Sequence, residues 1–213
     1  ARTTAGYTGA DLENLMNEAA IITAKDGRFF INQSDIRQAF IKTGIGAEKK
    51  SRVISEKEKK ITAYHEAGHA ILFHLLPEMG PVHTISIIPT GMGAAGYTMP
   101  LPEQDEMFNS KKKMLENIVV DLGGRVAEEL IFHDITTGAS QDIKQATQMA
   151  RAMVTQYGMS EKVGMIQYGG DEEEVFIGRD FGHTKNYADQ TAALIDSEVK
   201  RIIDEAYERA KEI

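Results

Sequence analysis

The chain has 213 residues, of which 42% are apolar and 26% charged, with a formal net charge of −8 and no cysteine. That is enough for one generous domain, or a domain with a smaller piece beside it, in a soluble globular protein. The acidity argues against a nucleic-acid partner, which needs a basic face, and the absence of cysteine removes thiolate from any metal site and fits a reducing compartment.

No apolar run approaches the length of a membrane span, and Ala1-Arg2-Thr3 is not a secretion signal. The chain opens without an initiator methionine, which reads as a piece of something longer. Residues 1–46 read as two helices. Thr8 with Asp11 makes a capping pair ahead of an apolar face on Leu12, Leu15, Met16, Ala19 and Ile22, and Asp26-Gly27 breaks the helix. Ser34 is the expected cap of a second helix carrying Ile36, Ala39, Phe40 and Thr43, ending at Gly44. Two short helices with one apolar face each read as the remnant of a larger neighbour. Residues 47–51 read as a linker, part of the solvated charged run Glu48-Lys49-Lys50-Ser51-Arg52. Lys50-Ser51 looks superficially like the end of a phosphate loop, but Lys49 stands where glycine is required, so no nucleotide-hydrolysis site of that type is expected.

The stretch from Ser55 to Pro77 holds the strongest chemical signal. Ser55 with Glu58 is a capping box, and Pro77 disfavours helix in the residue before it. Ile61, Tyr64, Gly68, Ile71, Leu72 and Leu75 recur at helical spacing and predict a buried face. Within it lies His65-Glu66-Ala67-Gly68-His69. On a helix His65 and His69 are i and i+4, so the two imidazoles point the same way, one turn apart. Two neutral imidazoles so placed can bind one zinc ion, and Glu66 can reach a water on that ion, which outlines a metal-assisted hydrolase. A catalytic zinc usually takes a third protein ligand. Leu72 and Leu75 occupy the places where an extended motif would put glycine and a third histidine, and His74 falls on the opposite side of the helix. The spacing leaves His83, His133, Glu128, Glu129, Asp134 and Asp142 open as the third ligand.

Val82 to Ile88 is β-rich between Pro81 and Pro89; Thr90-Gly91-Met92-Gly93 turns the chain, and Ala95 to Met99 returns as a second strand ended by Pro100. A glycine inside that strand suits an edge where another backbone comes close, so Gly96, Tyr97 and Thr98 are candidates for pairing with an extended peptide. Ser110 is expected to cap a long helix to Leu130, with Leu115, Ile118, Val119, Leu122 and Val126 inward and Asp121 paired to Arg125 at i+4. Thr136 to Gln141 leads into a helix closed by Gly158, with Ile143, Ala146, Ala150, Met153 and Tyr157 toward the core and Asp142 in its first turn. A short strand from Val163 to Tyr168, an acidic loop from Asp171 to Glu174 and one amphipathic helix from His183 to Ile213 complete the expected order.

Four ordered runs, G-Y-T-G-A-D-L-E-N-L-M-N-E-A-A (Gly6 to Ala20), T-A-Y-H-E-A-G-H-A (Thr62 to Ala70), G-G-R-V-A-E-E-L (Gly123 to Leu130) and T-T-G-A-S-Q-D-I (Thr136 to Ile143), resemble the FtsH family of membrane-anchored, ATP-dependent zinc proteases. The likeness covers essentially the whole chain. It implies a mainly α fold: the end of an AAA+ lid over residues 1–46, with Gly9-Ala10-Asp11-Leu12 on the side meeting nucleotide in the intact protein, then a helical zinc-peptidase domain with a small β-hairpin edge sheet over residues 52–213. It also implies Asp142 as the third zinc ligand, polypeptide substrates, and a homo-hexameric parent protein. That parent would use ATP and Mg2+ and be held in the bacterial inner membrane by segments absent here, with this part soluble on the cytoplasmic side. The expected chemistry is attack on a peptide bond by a zinc-activated water, with Glu66 as general base. A non-catalytic oligomerisation or docking module around a structural metal is the alternative, and it would need a fourth protein ligand.

Overall fold

The computed structural model describes residues 4, 6–46, 48, 53–90, 94–100, 107–169 and 187–213. In chain order its elements are α1 (Gly9–Lys25), α2 (Gln33–Ile45), α3 (Glu56–Leu75), β1 (Val82–Ser86), β2 (Tyr97–Pro100), α4 (Lys111–Phe132), a 3-10 turn (Thr137–Ala139), α5 (Ser140–Thr155) and α6 (Asp189–Glu212). The protein is thus mainly α with one two-stranded antiparallel sheet. The elements form two compact units, Ala1–His74 with Gly80–Met107, and Leu75–Met79 with Phe108–Ile213. Among the described residues no helix is long and apolar enough to cross a membrane.

In the first unit, α1 starts at the expected capping box. The Thr8 hydroxyl oxygen accepts from the Asp11 amide at 3.2 Å, and the Asp11 carboxylate accepts from the Thr8 amide at 2.8 Å. The cap of α2 differs from expectation. It is Asn32, whose Oδ1 accepts from the Ser34 and Asp35 amides at 2.9 and 3.0 Å, while Asp35 accepts in return from the Asn32 amide at 2.8 Å. Asparagine caps as well as serine, and Asp35 supplies the reciprocal bond three residues on, so the helix begins earlier than Ser34. It ends at Gly46, whose φ of 92° is open to glycine. Leu15, Ala19 and Ala39 form a small core, joined by Tyr7, Ile22, Ile36 and Phe40. Inaccessible Asp35 also accepts from the Arg28 guanidinium at 2.8 Å and the Thr23 hydroxyl at 2.9 Å. Arg28 foremost holds its carboxyl well below the usual carboxylate range, so the turn from α1 to α2 is locked by charge as well as by packing.

Helix α3 begins at the Ser55–Glu58 box, with the Glu58 amide donating to Ser55 Oγ at 3.2 Å, and stops two residues before Pro77. Its buried face is rotated from the predicted one. Tyr64, Ile71 and Leu75 are exposed, whereas His65, Glu66, His69 and Leu72 are buried. Apolar periodicity misplaced the stripe because the side chains turned inward are the polar ones of the motif.

β1 and β2 pair antiparallel, with Ile85 opposite Thr98 and Ser86 opposite Tyr97, and with an irregularity between Val82 and Thr84. β2 runs through Pro100, which sits opposite Val82 at the sheet's end, where its missing N–H costs no ladder bond. Glu48, read as part of a solvated run, instead bridges Thr90 antiparallel. The remaining linker residues 47 and 49–52, and turn residues 91–93, lie outside the described residues.

In the second unit, Ser110 caps α4 by accepting from the Lys113 amide at 3.1 Å, and α4, α5 and α6 pack on one another around fully buried Ile118, Met153, Val154 and Ile195. The expected inward side chains Ile143 and Tyr157 are exposed. α5 ends at Thr155, before Tyr157, and Ile143 belongs to its first turn, ahead of the Ala146–Ala150–Met153 stripe that meets α4 and α6. No strand forms over 163–168. Gly164 donates to the Ser160 carbonyl at 2.9 Å, within a turn, and Tyr168 to the Thr155 carbonyl at 2.8 Å at the end of α5, so these backbone donors go to local partners rather than to a sheet. α6 starts at Asp189, because Ala188 is extended (φ −63°, ψ 155°); residues 171–174 and 183–186 lie outside the described residues.

Glu198 on α6, with 1% of its surface exposed, accepts from the Ser160 hydroxyl at 2.8 Å and from Arg201 at 3.1 Å, and pairs with Lys162 at 2.9 Å. Arg201 foremost, with help from Lys162 and Ser160, holds its carboxyl down to about 2 against the opposing effect of burial. A depressed carboxylate stabilises the fold above its unfolded value and surrenders that stability as pH falls through its folded value. In urea unfolding, wild type is therefore expected to exceed Glu198→Gln in stability at pH 6, and the gap should shrink steadily between about pH 4.5 and 2. A gap that does not change with pH would contradict this.

Candidate metal centre

His65 and His69 lie in the middle of α3, one turn apart, with 9% and 8% of their surfaces exposed. Their Nε2 atoms approach to 3.1 Å and the ring centroids to 4.8 Å, with the ring planes at 72°. Two imidazoles with their outer nitrogens this close, away from solvent, are of the kind that can offer two ligands to one metal ion. A donor pair of this kind suits zinc, which favours nitrogen and carboxylate oxygen when thiolate is unavailable.

Glu66, between them, is 6% exposed. The Thr98 hydroxyl of β2 donates to Glu66 Oε2 at 2.7 Å, and its oxygen also lies 3.1 Å from the Glu66 carbonyl oxygen. Gly96 comes closer still. A Cβ there would stand 2.6 Å from the Ser86 carbonyl oxygen, 2.7 Å from Thr62 Cγ2 and 2.9 Å from Glu66 Oε1. Only glycine lets the chain approach the helix at the turn that carries Glu66. Tyr97, also buried, has its phenol pushed up by burial and by the charge of Glu48. Within this unit the structure therefore gathers His65, Glu66 and His69 and lays Gly96 and Thr98 against Glu66. The contact from Thr98 to Glu66 spans 32 positions, and no pattern in the sequence announced it.

The other candidates have structural partners. His83 meets Phe40 edge-on with centroids 6.0 Å apart. In the second unit, Glu128 is buried and accepts from the Thr136 amide at 2.8 Å, tying α4 to the turn before α5. Glu129 accepts from Lys211 at 2.8 Å and from the Tyr207 hydroxyl. Asp134 accepts from the Ile135 amide at 2.8 Å, and His133 closes α4 in a left-handed conformation with φ 52°. Asp142 sits in the first turn of α5, as expected. Asp121 differs from expectation: among the described residues it makes no ion pair with Arg125, and its Oδ2 is buried without a hydrogen-bond partner. Burial foremost, and the charge of Asp142 beside it, raise its carboxyl to about 7. An i, i+4 rule for exposed helix faces could not find this, because α5 covers that face of α4.

A helix carrying His-Glu-x-x-His, with both imidazoles convergent and buried and a buried glutamate between them, defines the class of metal-dependent hydrolases. Residues 52–213 match peptidase family M41 and residues 1–38 match the AAA+ lid domain. The chain belongs to peptidase family M41. Over all 213 residues it is 55% identical to the ATP-dependent zinc metalloprotease FtsH of Caldicellulosiruptor bescii, covering 34% of that protein. It is also 55% identical to the ATP-dependent zinc metalloprotease FtsH 1 of a Thermoanaerobacter species, covering 35% of it, and 49% identical to the ATP-dependent zinc metalloprotease FtsH of Thermotoga maritima, again covering 35%. The chain thus spans about a third of the length of the curated relatives it matches.

The raised Asp121 carboxyl has a consequence for stability. An acid whose folded value lies above its unfolded one costs the fold stability as pH rises between the two. In metal-free protein, Asp121→Asn is therefore expected to gain on wild type progressively from about pH 4 to about pH 7 and to hold a constant advantage above that. Urea midpoints across that range test it; a difference independent of pH would show that the carboxyl is not perturbed.

Proposed function

We propose that this chain is the zinc-dependent endopeptidase portion of an ATP-dependent protease, with His65, His69 and Asp142 as metal ligands and Glu66 as general base. The observation that carries the proposal is the convergence of two buried Nε2 atoms at 3.1 Å on the helix that also buries Glu66. Asp142 is supported by donor chemistry, since His65, His69 and Asp142 could hold a metal ion together. A set of three leaves a fourth position for water, as catalysis requires and a closed structural site does not.

Zinc, when bound, supplies Lewis acidity that activates a water and polarises the scissile carbonyl. The residues supply the rest. Both imidazoles must be neutral at Nε2 to act as ligands, and their burial keeps competing water away. Glu66 accepts the proton of the attacking water and delivers it to the leaving amine nitrogen. In this reading the segment Gly96, Tyr97 and Thr98, at the start of β2, holds an extended polypeptide by main-chain pairing along the edge away from β1; the two-stranded pairing supports it.

By this reading residues 1–46 belong to the AAA+ lid, 47–51 to a linker and 52–213 to the peptidase. In the parent protein, ATP with Mg2+ drives unfolding of polypeptide substrates into a homo-hexamer held in the bacterial inner membrane by segments outside this chain, with the peptidase on the cytoplasmic side. The names of the relatives and the match to the AAA+ lid domain support this setting.

Two variants test the reading. Glu66→Gln should keep fold and zinc but lose about 10²–10⁴-fold in hydrolysis of an unstructured protein such as casein, because an amide does not accept the proton; near-normal turnover would remove Glu66 as the base. Asp142→Asn should bind zinc more weakly than wild type by more than the roughly tenfold to hundredfold of an outer-shell change, whereas Glu128→Gln should stay within that range. If zinc titrations into the metal-free proteins show Asp142→Asn binding like wild type, the third ligand is another residue.

A further inference from the structure

A glutamate that must take a proton from one water and hand it to one nitrogen has three side-chain torsions to control. Burial alone does not choose among its rotamers. In this protein β2 reaches the carboxylate directly. The Thr98 hydroxyl donates to Glu66 Oε2 at 2.7 Å, and the position of a Cβ on Gly96 lies 2.9 Å from Glu66 Oε1. One carboxylate oxygen is therefore met by a donor from β2 and the other approached by the bare backbone of Gly96 just ahead of that strand. Thr98 also reaches the Glu66 carbonyl oxygen at 3.1 Å, so strand, side chain and the helix turn are registered to one another. A threonine whose only task was to fill an edge strand would have no need of a hydroxyl turned onto a buried acid.

We propose that Thr98 is the positioning residue for Glu66, its hydroxyl fixing the rotamer from which the carboxylate takes the proton, with Gly96 giving the strand the clearance to bring it there. The inference rests on the reading of Glu66 as general base and adds to it. The hydroxyl proton goes to Oε2. The strand proposed to hold the substrate is the same strand that aims the base.

The test uses the zinc-loaded protein with Thr98→Val, Thr98→Ala and Thr98→Ser, and with Glu66→Gln as a reference. Thr98→Val keeps the shape and strand propensity and removes the donor; Thr98→Ala does the same if valine proves too bulky for the fold. The expected result is a fall in kcat of about tenfold to a hundredfold with KM within about twofold, at unchanged zinc content, as for a misaimed catalytic group. Thr98→Ser, a poorer strand former than valine, should restore kcat to within about threefold of wild type. A purely structural role would rank valine above serine. A second readout needs no activity. In metal-free protein labelled with 13C at the glutamate side-chain carboxyl, the Glu66 resonance, identified by its loss in Glu66→Gln, should move in the valine and alanine variants and return in the serine variant. Wild-type kcat in both donorless variants, or loss that serine does not rescue, or a Glu66 resonance indifferent to residue 98, overturns the proposal. Should Glu66→Gln itself turn over substrate normally, the reading of Glu66 as base fails, and the resonance still reports whether Thr98 holds the carboxylate.

Discussion

Two imidazoles held 3.1 Å apart at Nε2, inside a buried helix turn, would be an awkward arrangement in a protein that had no ion to give them. One proton shared between them, or one metal accepting both lone pairs, is what lets the rings stay where α3 puts them. Much of the first unit serves that arrangement. The Ser55–Glu58 box starts the helix in the register that turns His65, Glu66 and His69 inward, Pro77 ends it, and β2 closes on its middle turn because Gly96 has no Cβ to keep it away. The second unit is held by its own long-range ties. Glu128 ties α4 to the turn that precedes α5, and Lys211 and Tyr207 of α6 hold Glu129.

The buried acids of the chain divide by how they are compensated, and that division separates structure from chemistry. Asp35 and Glu198 are buried with arginine partners that lower their carboxyls; each locks a turn and needs no further explanation. Asp121 is buried without such a partner, beside Asp142, and its carboxyl is raised. An uncompensated buried carboxyl next to a second one is costly to ionise. The charge of Asp142 beside it adds to that cost.

Local chemistry was legible in the sequence wherever the signal lay within a few residues. The caps at Thr8, Ser55 and Ser110, the His-Glu-x-x-His helix and the β-rich pair around residues 82 and 98 appear where the patterns placed them. Signals that depend on tertiary neighbours were not legible. The apolar stripe of α3 predicted Tyr64 and Ile71 inward, whereas the motif's polar side chains occupy that side. The segment 163–168 has strand composition, yet its Gly164 amide bonds Ser160 in a turn and its Tyr168 amide bonds Thr155 at the end of α5. Asn32 outranked Ser34 as a cap because Asp35 answers it. Asp142 as a ligand could not be drawn from spacing; it came from family resemblance. The grip of Thr98 on Glu66 joins two elements 32 residues apart and belongs to the fold alone.

The central claim is that a single zinc ion sits at the point on which His65 and His69 converge. Crystals of the zinc-loaded protein, measured on both sides of the zinc absorption edge, test it without reference to activity. The account predicts one anomalous peak, about 2.0–2.1 Å from Nε2 of each histidine and about 2.0–2.2 Å from a carboxylate oxygen of Asp142. A peak bonded instead to Glu128 or Glu129, or no peak within bonding distance of the two imidazoles, would contradict it.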